Sequence, residues 1–304
     1  MEKSKKQLIT YIVVTFALTW AYEFGAVWPA AKEATLSGVP SVKLQILVSS
    51  CMFFPALGMV LTRLITREGF GDMMLRPRFK GHGREYLLAY FAPGLLAILG
   101  AALYFLLFPG KLDWTGGYYR SVMAASGNPY EAQAVPIKTL LALQAAQGLL
   151  LAGLLNLIPS LGEEWGWRGY MMPRLLKTMK PLPALLLGGV IWGLWHAPLT
   201  AIGHNYGTGY PGFPWTGIAM MCLFCVTVGT LLTWLTERTG SCIPAAVAHG
   251  AVNGTSSLGL LLTADGGNPF VGPMPTGIIG AVPWIAAAVL AGLWLVRRKE
   301  KTLD

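Results

Sequence analysis

Two adjacent glutamates, Glu163 and Glu164, open the segment EEWGWRGY directly after a long apolar run. In a helix, Glu164 and Arg168 are one turn apart and share a face, where an ion pair forms easily. Glu163 is rotated by about 100° from Glu164, so the two carboxylates point in different directions. We therefore expect one carboxylate to pair with Arg168 and the other to face a cavity. The alternative is an ordinary solvated helix end, which the neighbouring Trp165 and Trp167 argue against.

Two histidines and an asparagine supply further candidate groups in apolar segments. His196 occurs in IWGLWHAP, and His249 precedes Asn253 by one helical turn in AAVAHGAVNG. A carboxylate can act as a general base on water, and imidazole or carboxamide N–H groups can stabilise the oxyanion that develops on a carbonyl. The set therefore suits hydrolysis of an amide bond. The remaining histidines, His82 and His204, are predicted to lie in loops outside the site.

The same residues leave the question of a cofactor open. Glu163, His196 and His249 could bind a divalent metal such as zinc, with water in the fourth position. However, Asn is a poor zinc ligand, and the sequence contains no H-E-x-x-H motif. A reaction with a metal and one without any cofactor are both compatible with this set.

Membrane-spanning helices must position these groups, because the chain is too apolar for a soluble domain. Of its 304 residues, 54% are hydrophobic and 12% are charged, whereas soluble domains contain about 25% charged residues. We predict an all-α polytopic membrane protein that forms one integral membrane domain over residues 1–304. The first apolar segment is expected to be a retained anchor, since it lacks a convincing signal-peptide cleavage site. The eight predicted spans, each of roughly 20 residues, are 7–29, 43–65, 86–108, 138–160, 183–202, 215–236, 242–262 and 277–296.

The distribution of the basic residues behind the net charge of +9 indicates how the chain is oriented in the membrane. With eight spans, 18 of the 23 Lys and Arg residues fall on the side of the termini and 5 on the opposite side. Positive residues concentrate on the cytoplasmic side of membrane proteins, so we predict that both termini are cytoplasmic. Membrane lipid is therefore the expected partner of the basic residues, and nucleic acid is not needed to explain them.

The polar segments resemble the three motifs of the CAAX protease and bacteriocin-processing family, also called Abi proteins. EEWGWR looks like the EExxxR motif of this family, WGLWH resembles FxxxH with Trp192 in place of Phe, and HGAVN resembles HxxxN. The motifs occur in the family's order and in three separate spans, within a core at about 140–262. The family's eight-helix topology also agrees with the predicted spans.

The resemblance implies a role for each polar residue. The first glutamate would activate water with help from His196, while His249 and Asn253 would hold the tetrahedral oxyanion. The second glutamate and the arginine would orient these groups. The residues implied as catalytic are Glu163, Glu164, Arg168, His196, His249 and Asn253.

We therefore predict an intramembrane endopeptidase in the plasma membrane of a prokaryote. Its substrate would be a peptide or a membrane-anchored protein, with a prenylated tail as one option. Two alternatives remain. One is a proton-coupled transporter that uses Glu163, His196 and His249 as a relay. The other is an immunity or scaffold protein that keeps the motifs without turnover.

Overall fold

Helices form nearly all of the regular structure. The computed structural model describes residues 2–37, 41–125 and 135–300. Within these ranges there is no β-strand, and two isolated bridges join Leu112 to Thr263 and Asn268 to Gly272. The helices are α1 Glu2–Tyr22, α2 Trp28–Ser37, α3 Val42–Cys51, α4 Phe54–Thr66, α5 Gly83–Leu107, α6 Gly117–Ala125, α7 Ile137–Leu150, α8 Ala152–Leu155, α9 Leu157–Gly166, α10 Met172–Thr178, α11 Pro181–Trp195, α12 Ala197–Thr200, α13 Trp215–Thr239, α14 Ile243–Thr255 and α15 Ile278–Glu300.

Among the described residues, five helical segments are long and apolar enough to cross a membrane. They overlap the first, second, third, sixth and eighth predicted spans. The prediction of an all-α polytopic membrane protein is therefore confirmed. These segments are Lys3–Thr35, Val42–Thr66, Gly83–Leu107, Trp215–Thr239 and Ile278–Lys299.

The other three predicted spans consist of shorter helices. The fourth begins as α7 and continues through α8 and α9, with interruptions at Leu151 and Asn156. The fifth is α11 followed by α12, and the seventh is α14 followed by a 3₁₀ turn at Leu258–Leu262. Crossing of the membrane by these three segments stays a prediction.

The helix of the fourth span extends further along the chain than predicted. We placed its end at residue 160, but α9 continues through a π-helical turn at Trp167–Met171 into α10. Hydropathy ends the span too early because Glu163, Glu164 and Arg168 lower the local average. All three side chains are nevertheless buried, which charged groups tolerate when they are paired. Glu163 therefore lies inside a helix, as the spacing of Glu164 and Arg168 predicted.

Glycines allow close contacts between the helices that carry the polar motifs. A Cβ atom at Gly166 of α9 would lie 2.4 Å from the carbonyl oxygen of Pro55 in α4. A Cβ atom at Gly193 of α11 would lie 2.5 Å from the Cα atom of Cys222 in α13. Small residues permit such backbone approach between membrane helices. The spacing of these helices, and thus the position of their polar side chains, depends on both glycines.

Candidate active site

One cavity collects four of the six predicted catalytic side chains. It has a volume of about 370 Å³. Glu163 reaches it from α9, His196 from the residue after α11, and His249 and Asn253 from α14. Three segments that are distant in sequence thus bring a carboxylate, two imidazoles and a carboxamide to one space.

Glu163 is held by two tryptophans. Its side chain is 2% exposed. The Nε1–H group of Trp192 donates to Oε2 over 2.8 Å, and that of Trp167 donates to the same oxygen over 3.3 Å. Hydrogen bonds to an ionised carboxylate are stronger than those between neutral groups. Because both bonds go to Oε2, Oε1 is the oxygen that can contact water in the cavity.

Glu164 lies behind the cavity wall, where it joins two of the other motifs. Its Oε1 atom accepts from Nη1 of Arg168 over 3.0 Å and from Nδ1 of His249 over 2.8 Å. The guanidinium of Arg168 also stacks on the Trp192 ring, 4.2 Å from its centroid. The expected division is therefore present in the geometry, since Glu164 pairs with the arginine while Glu163 lines the cavity.

His196 is oriented by a contact with the last turn of α11. Its Nδ1 atom lies 2.9 Å from the carbonyl oxygen of Trp192. A carbonyl oxygen can only accept, so Nδ1 carries the hydrogen and Nε2 is the acceptor in the neutral ring. The edge of the ring also packs against Trp195, with centroids 4.7 Å apart. His196 can therefore present Nε2 as a proton acceptor.

The structure adds polar groups to the cavity that the sequence interpretation did not select. Asn156 lies two helical turns before Glu163, and its Nδ2 atom donates to the carbonyl oxygens of Ala152 and Gly250. The spacing of seven residues could have indicated that Asn156 and Glu163 share a face. His204 also lines the cavity, which our placement of this residue outside the site did not anticipate. No local sequence signal marks His204, because the course of its loop depends on tertiary packing.

Another buried carboxyl group lies in the first membrane-spanning helix. Glu23 is fully buried at the start of a π-helical turn. Neither of its oxygens makes a hydrogen bond within the described residues. The thiol of Cys51 lies beside it, but a thiol is a weak donor and this one donates to the carbonyl oxygen of Leu47. An ionisable residue within the predicted first span was a signal available from the sequence.

The residues proposed as metal ligands line one cavity but are not arranged to hold a metal ion. Within the described part of the chain, no group of three or more His, Cys, Asp or Glu side chains is arranged to hold a metal ion. The hydrogen bonds of Glu163 both occupy Oε2, and the Nδ1 atoms of His196 and His249 are bonded to protein acceptors. We therefore derive no catalytic step through a metal.

Part of the chain is similar to CAAX prenyl proteases. Residues 145–255 match the model of the family described as Type II CAAX prenyl endopeptidase Rce1-like. The chain is also similar to CAAX prenyl protease 2 of Methanococcus maripaludis, with 32% identity over 115 residues. That alignment covers 36% of this chain, which spans about two-fifths (41%) of the length of the curated relative. Residues 145–255, which contain all six of the predicted catalytic residues, are thus similar to a family of CAAX prenyl endopeptidases.

Proposed function

We propose that the protein is an intramembrane endopeptidase in which Glu163 activates the attacking water. The observation that carries this proposal is the shared cavity of Glu163, His196, His249 and Asn253. Within it, one oxygen of Glu163 is fixed by indole donors and the other can reach water. A general base needs this combination of fixed orientation and access to the proton that it removes.

The hydrolysis would proceed in two steps. In the first, Glu163 Oε1 takes a proton from water while the water oxygen bonds to the carbonyl carbon, and the carbonyl oxygen becomes an oxyanion. Nε2 of His249 and the amide of Asn253 donate to this oxyanion. In the second step, the C–N bond breaks and the proton on Glu163 passes to the leaving nitrogen. Nε2 of His196 assists as a further proton acceptor near the water.

The contact between Glu164 and His249 gives the second glutamate a specific task. For Nε2 of His249 to donate to an oxyanion while Nδ1 donates to Glu164, both ring nitrogens must carry hydrogen. The ring is then positively charged, and the Glu164 carboxylate at 2.8 Å balances that charge. Arg168 holds the same carboxylate oxygen from the other side. Glu164 and Arg168 are thus positioning residues.

The proposed substrate is a membrane-associated peptide or protein, with a prenylated tail as one option. Prenylation is proposed from the name of the archaeal relative, CAAX prenyl protease 2. Apart from its polar groups, the cavity is lined by apolar side chains that suit an extended peptide from a membrane protein; they include Val48, Met52, Leu199, Phe224 and Met274. We place this activity in the plasma membrane of a prokaryote, as the sequence analysis predicts.

The test compares new peptide termini in membranes from cells that make the wild type or Glu163→Gln. The amide keeps the shape of the side chain but cannot accept the proton, and general-base catalysis contributes about 10²- to 10⁴-fold to a rate. We therefore expect termini that appear with the wild type and are lost or reduced at least about a hundredfold with the variant. These termini would also identify the substrate.

Glu33→Gln is the matched control, because it makes the same chemical change at an exposed carboxylate that pairs with Lys43 outside the cavity. It should give the wild-type set of termini. If wild type and Glu163→Gln give identical termini while both are stably inserted, the protease proposal is wrong. The immunity or scaffold protein and the proton-coupled transporter would then be the functions to examine.

A further inference from the structure

The helices around the catalytic cavity can be ordered from one end of the bundle to the other. Arg238, at the end of α13, pairs with Glu85 at the start of α5. Nζ of Lys299, at the end of α15, donates to the carbonyl oxygen of Met179 just after α10. The ends of α10, α13 and α15 therefore lie on the side where α5 begins. We call this side the basic end of the bundle, because the basic segment 63–84 leads into α5 there.

The mouth of the catalytic cavity lies at the opposite end. Asn205 belongs to the segment between α12 and the start of α13, and Thr276 to the segment before the start of α15. Ser49 lies in the first half of the helical segment Val42–Thr66, whose last residues reach the basic end. All three line the cavity. Ser49 and Asn205 are exposed, whereas Glu163 is 2% exposed. The cavity therefore opens away from the basic end and has Glu163 at its floor.

A second cavity adjoins this mouth. It has a volume of about 690 Å³ and lies between the end of α2, the start of α3 and the segment after α12. Val48, Ser49 and His204 line both cavities. Two further polar side chains, those of Thr35 and Gln45, line the second cavity alone. It therefore provides room for substrate residues that flank the bond to be cleaved.

Packed aromatic side chains cover Glu163 on the side toward the basic end. Trp167 and Tyr170 follow it along the chain toward α10, and both are fully buried. Tyr11 of α1 is also fully buried and packs against both rings, with centroid distances of 5.7 and 5.0 Å. A peptide that came from the basic end could reach Glu163 only by displacing these three rings.

We infer that the protein cleaves polypeptide segments that enter the catalytic cavity from the outer face of the membrane. The cavity opens away from the basic end, and in the orientation predicted from the positive residues that side faces the outside. The inference rests on the proposed function for the cleavage itself. It narrows the substrate class, because a tail that remains in the cytoplasm would meet the closed side of the site.

The depth of Glu163 sets the length of substrate that must enter. A Cβ atom at the preceding Gly162 would lie 2.7 Å from the carbonyl oxygen of Met52. Met52 follows Val42, the first residue of α3, by ten residues, which is about 15 Å of helix. An extended chain rises by about 3.3 Å per residue. The substrate must therefore present an extended segment of about five residues between the outer end of α3 and the cleaved bond.

The first measurement tests access to the cavity and needs no known substrate. Ser49→Cys places a thiol of similar size in the mouth, about 10 Å along α3 from Val42. A membrane-impermeant sulfonated maleimide should label it in intact cells, because the cavity connects it to water outside. Ser50→Cys makes the same change on a face of α3 that is rotated by about 100° and lines neither cavity. It should stay unlabelled until the protein is denatured.

Two reference variants identify the sides of the membrane. Lys80→Cys marks the basic end and Ser121→Cys the opposite end, and both positions are exposed. Ser49→Cys should react under the same conditions as Ser121→Cys. If it reacts only under the conditions that label Lys80→Cys, or only after denaturation, the cavity does not open to the outside and the inference is wrong. The unsubstituted chain gives the background, since its four cysteines are buried or partly buried.

The second measurement separates this inference from the proposed function. New termini that depend on Glu163 should lie in outward-facing segments, and labelling of Ser49→Cys should stop their formation relative to unlabelled cells of that variant. Labelling of Ser121→Cys, outside the cavity, should leave them unchanged. Glu163-dependent termini in cytoplasmic tails would overturn the inference but not the proposed function. Identical termini from wild type and Glu163→Gln would instead overturn the proposed function, and with it the substrate class, even if Ser49→Cys is labelled from outside.

Discussion

The Trp192 side chain contacts three residues of the candidate site, Glu163, Arg168 and His249. Its indole N–H donates to Glu163, and its ring lies under the guanidinium of Arg168. The edge-on contact with His249 has a centroid distance of 5.4 Å. The family motif has Phe at this position, and Phe could supply the ring but not the donor. The indole N–H therefore holds the proposed catalytic carboxylate, Glu163, in a way that a Phe at this position could not.

Replacing Trp192 by Phe tests the contribution of the indole N–H donor separately from that of the aromatic ring. Trp192→Phe keeps an aromatic side chain beside Arg168 and His249 but removes the 2.8 Å bond to Glu163. Hydrogen bonds to charged groups contribute about 1.5–3 kcal/mol, so we expect kcat to fall by roughly ten- to a hundredfold. The measurement is peptide cleavage by the purified protein, using the substrate that the comparison of termini identifies.

Trp28→Phe is the control for this substitution. It also removes an indole donor, but this donor bonds to the carbonyl oxygen of Pro198 and Trp28 does not line the cavity. We expect the kcat of Trp28→Phe to stay within about twofold of the wild-type value. A kcat for Trp192→Phe that equals that of Trp28→Phe would show that the indole bond does not assist Glu163.

Among the helices, the packing of α11 against α13 sets the position of Trp192 and His196. Gly193→Ala would place a Cβ atom 2.5 Å from the Cα atom of Cys222, so the two helices must separate. Overpacking of this kind costs about 1–3 kcal/mol. We expect a lower thermal midpoint in detergent and a loss of cleavage activity, because His196 follows Gly193 by less than one turn.

Gly292→Ala provides the comparison for this effect. Gly292 also lies in a membrane helix, but a Cβ atom there would meet its nearest neighbours at 3.8 and 3.9 Å, which is ordinary van der Waals contact. This variant should keep the thermal midpoint and the activity of the wild type. If Gly193→Ala behaves in the same way, the contact between α11 and α13 is looser than the structure indicates.

The sequence predicted some of these elements better than others, because some depend on local hydropathy and others on contacts between distant residues. The long helices follow from hydropathy alone, because lipid requires a continuous apolar surface of about 20 residues. The end of the fourth span at residue 160 was wrong, since burial of Glu164 depends on Arg168 and His249 and a hydropathy window cannot contain that pairing. The motifs indicated which residues to consider. The hydrogen bond from the Trp192 indole to Glu163 and the position of His204 in the cavity wall arise from tertiary packing. No local sequence pattern encodes such packing.

Across the whole molecule, charge distinguishes the two ends of the bundle. Helix α5 contains 25 residues and is therefore about 37 Å long, enough to cross the hydrocarbon core. Its first residue, Gly83, lies at the end of the basic segment 63–84, whereas Leu107 precedes the less basic segment that contains α6. The end of α13 that carries Arg238 lies on the side where α5 begins, because Arg238 pairs with Glu85. The orientation of α5 in the membrane therefore also determines which side this end of α13 faces.

The orientation predicted from the basic residues can be tested with single cysteines at the two ends of α5. Lys80→Cys lies in the basic segment before α5, and Ser121→Cys lies in α6 beyond its far end; both positions are exposed. In intact cells, a membrane-impermeant maleimide should label Ser121→Cys and leave Lys80→Cys unmodified. Both should react after permeabilisation. The unsubstituted chain is the control, since its four cysteines are buried or partly buried.

The opposite pattern would have consequences beyond topology. If Lys80→Cys reacts in intact cells and Ser121→Cys does not, the basic segment faces the outside, against the rule by which positive residues stay in the cytoplasm. The end of α13 that carries Arg238 would then face the outside as well, because Arg238 pairs with Glu85 at the start of α5. Labelling in the predicted pattern would instead place these basic residues at the inner leaflet, where anionic lipids give the membrane surface its negative potential.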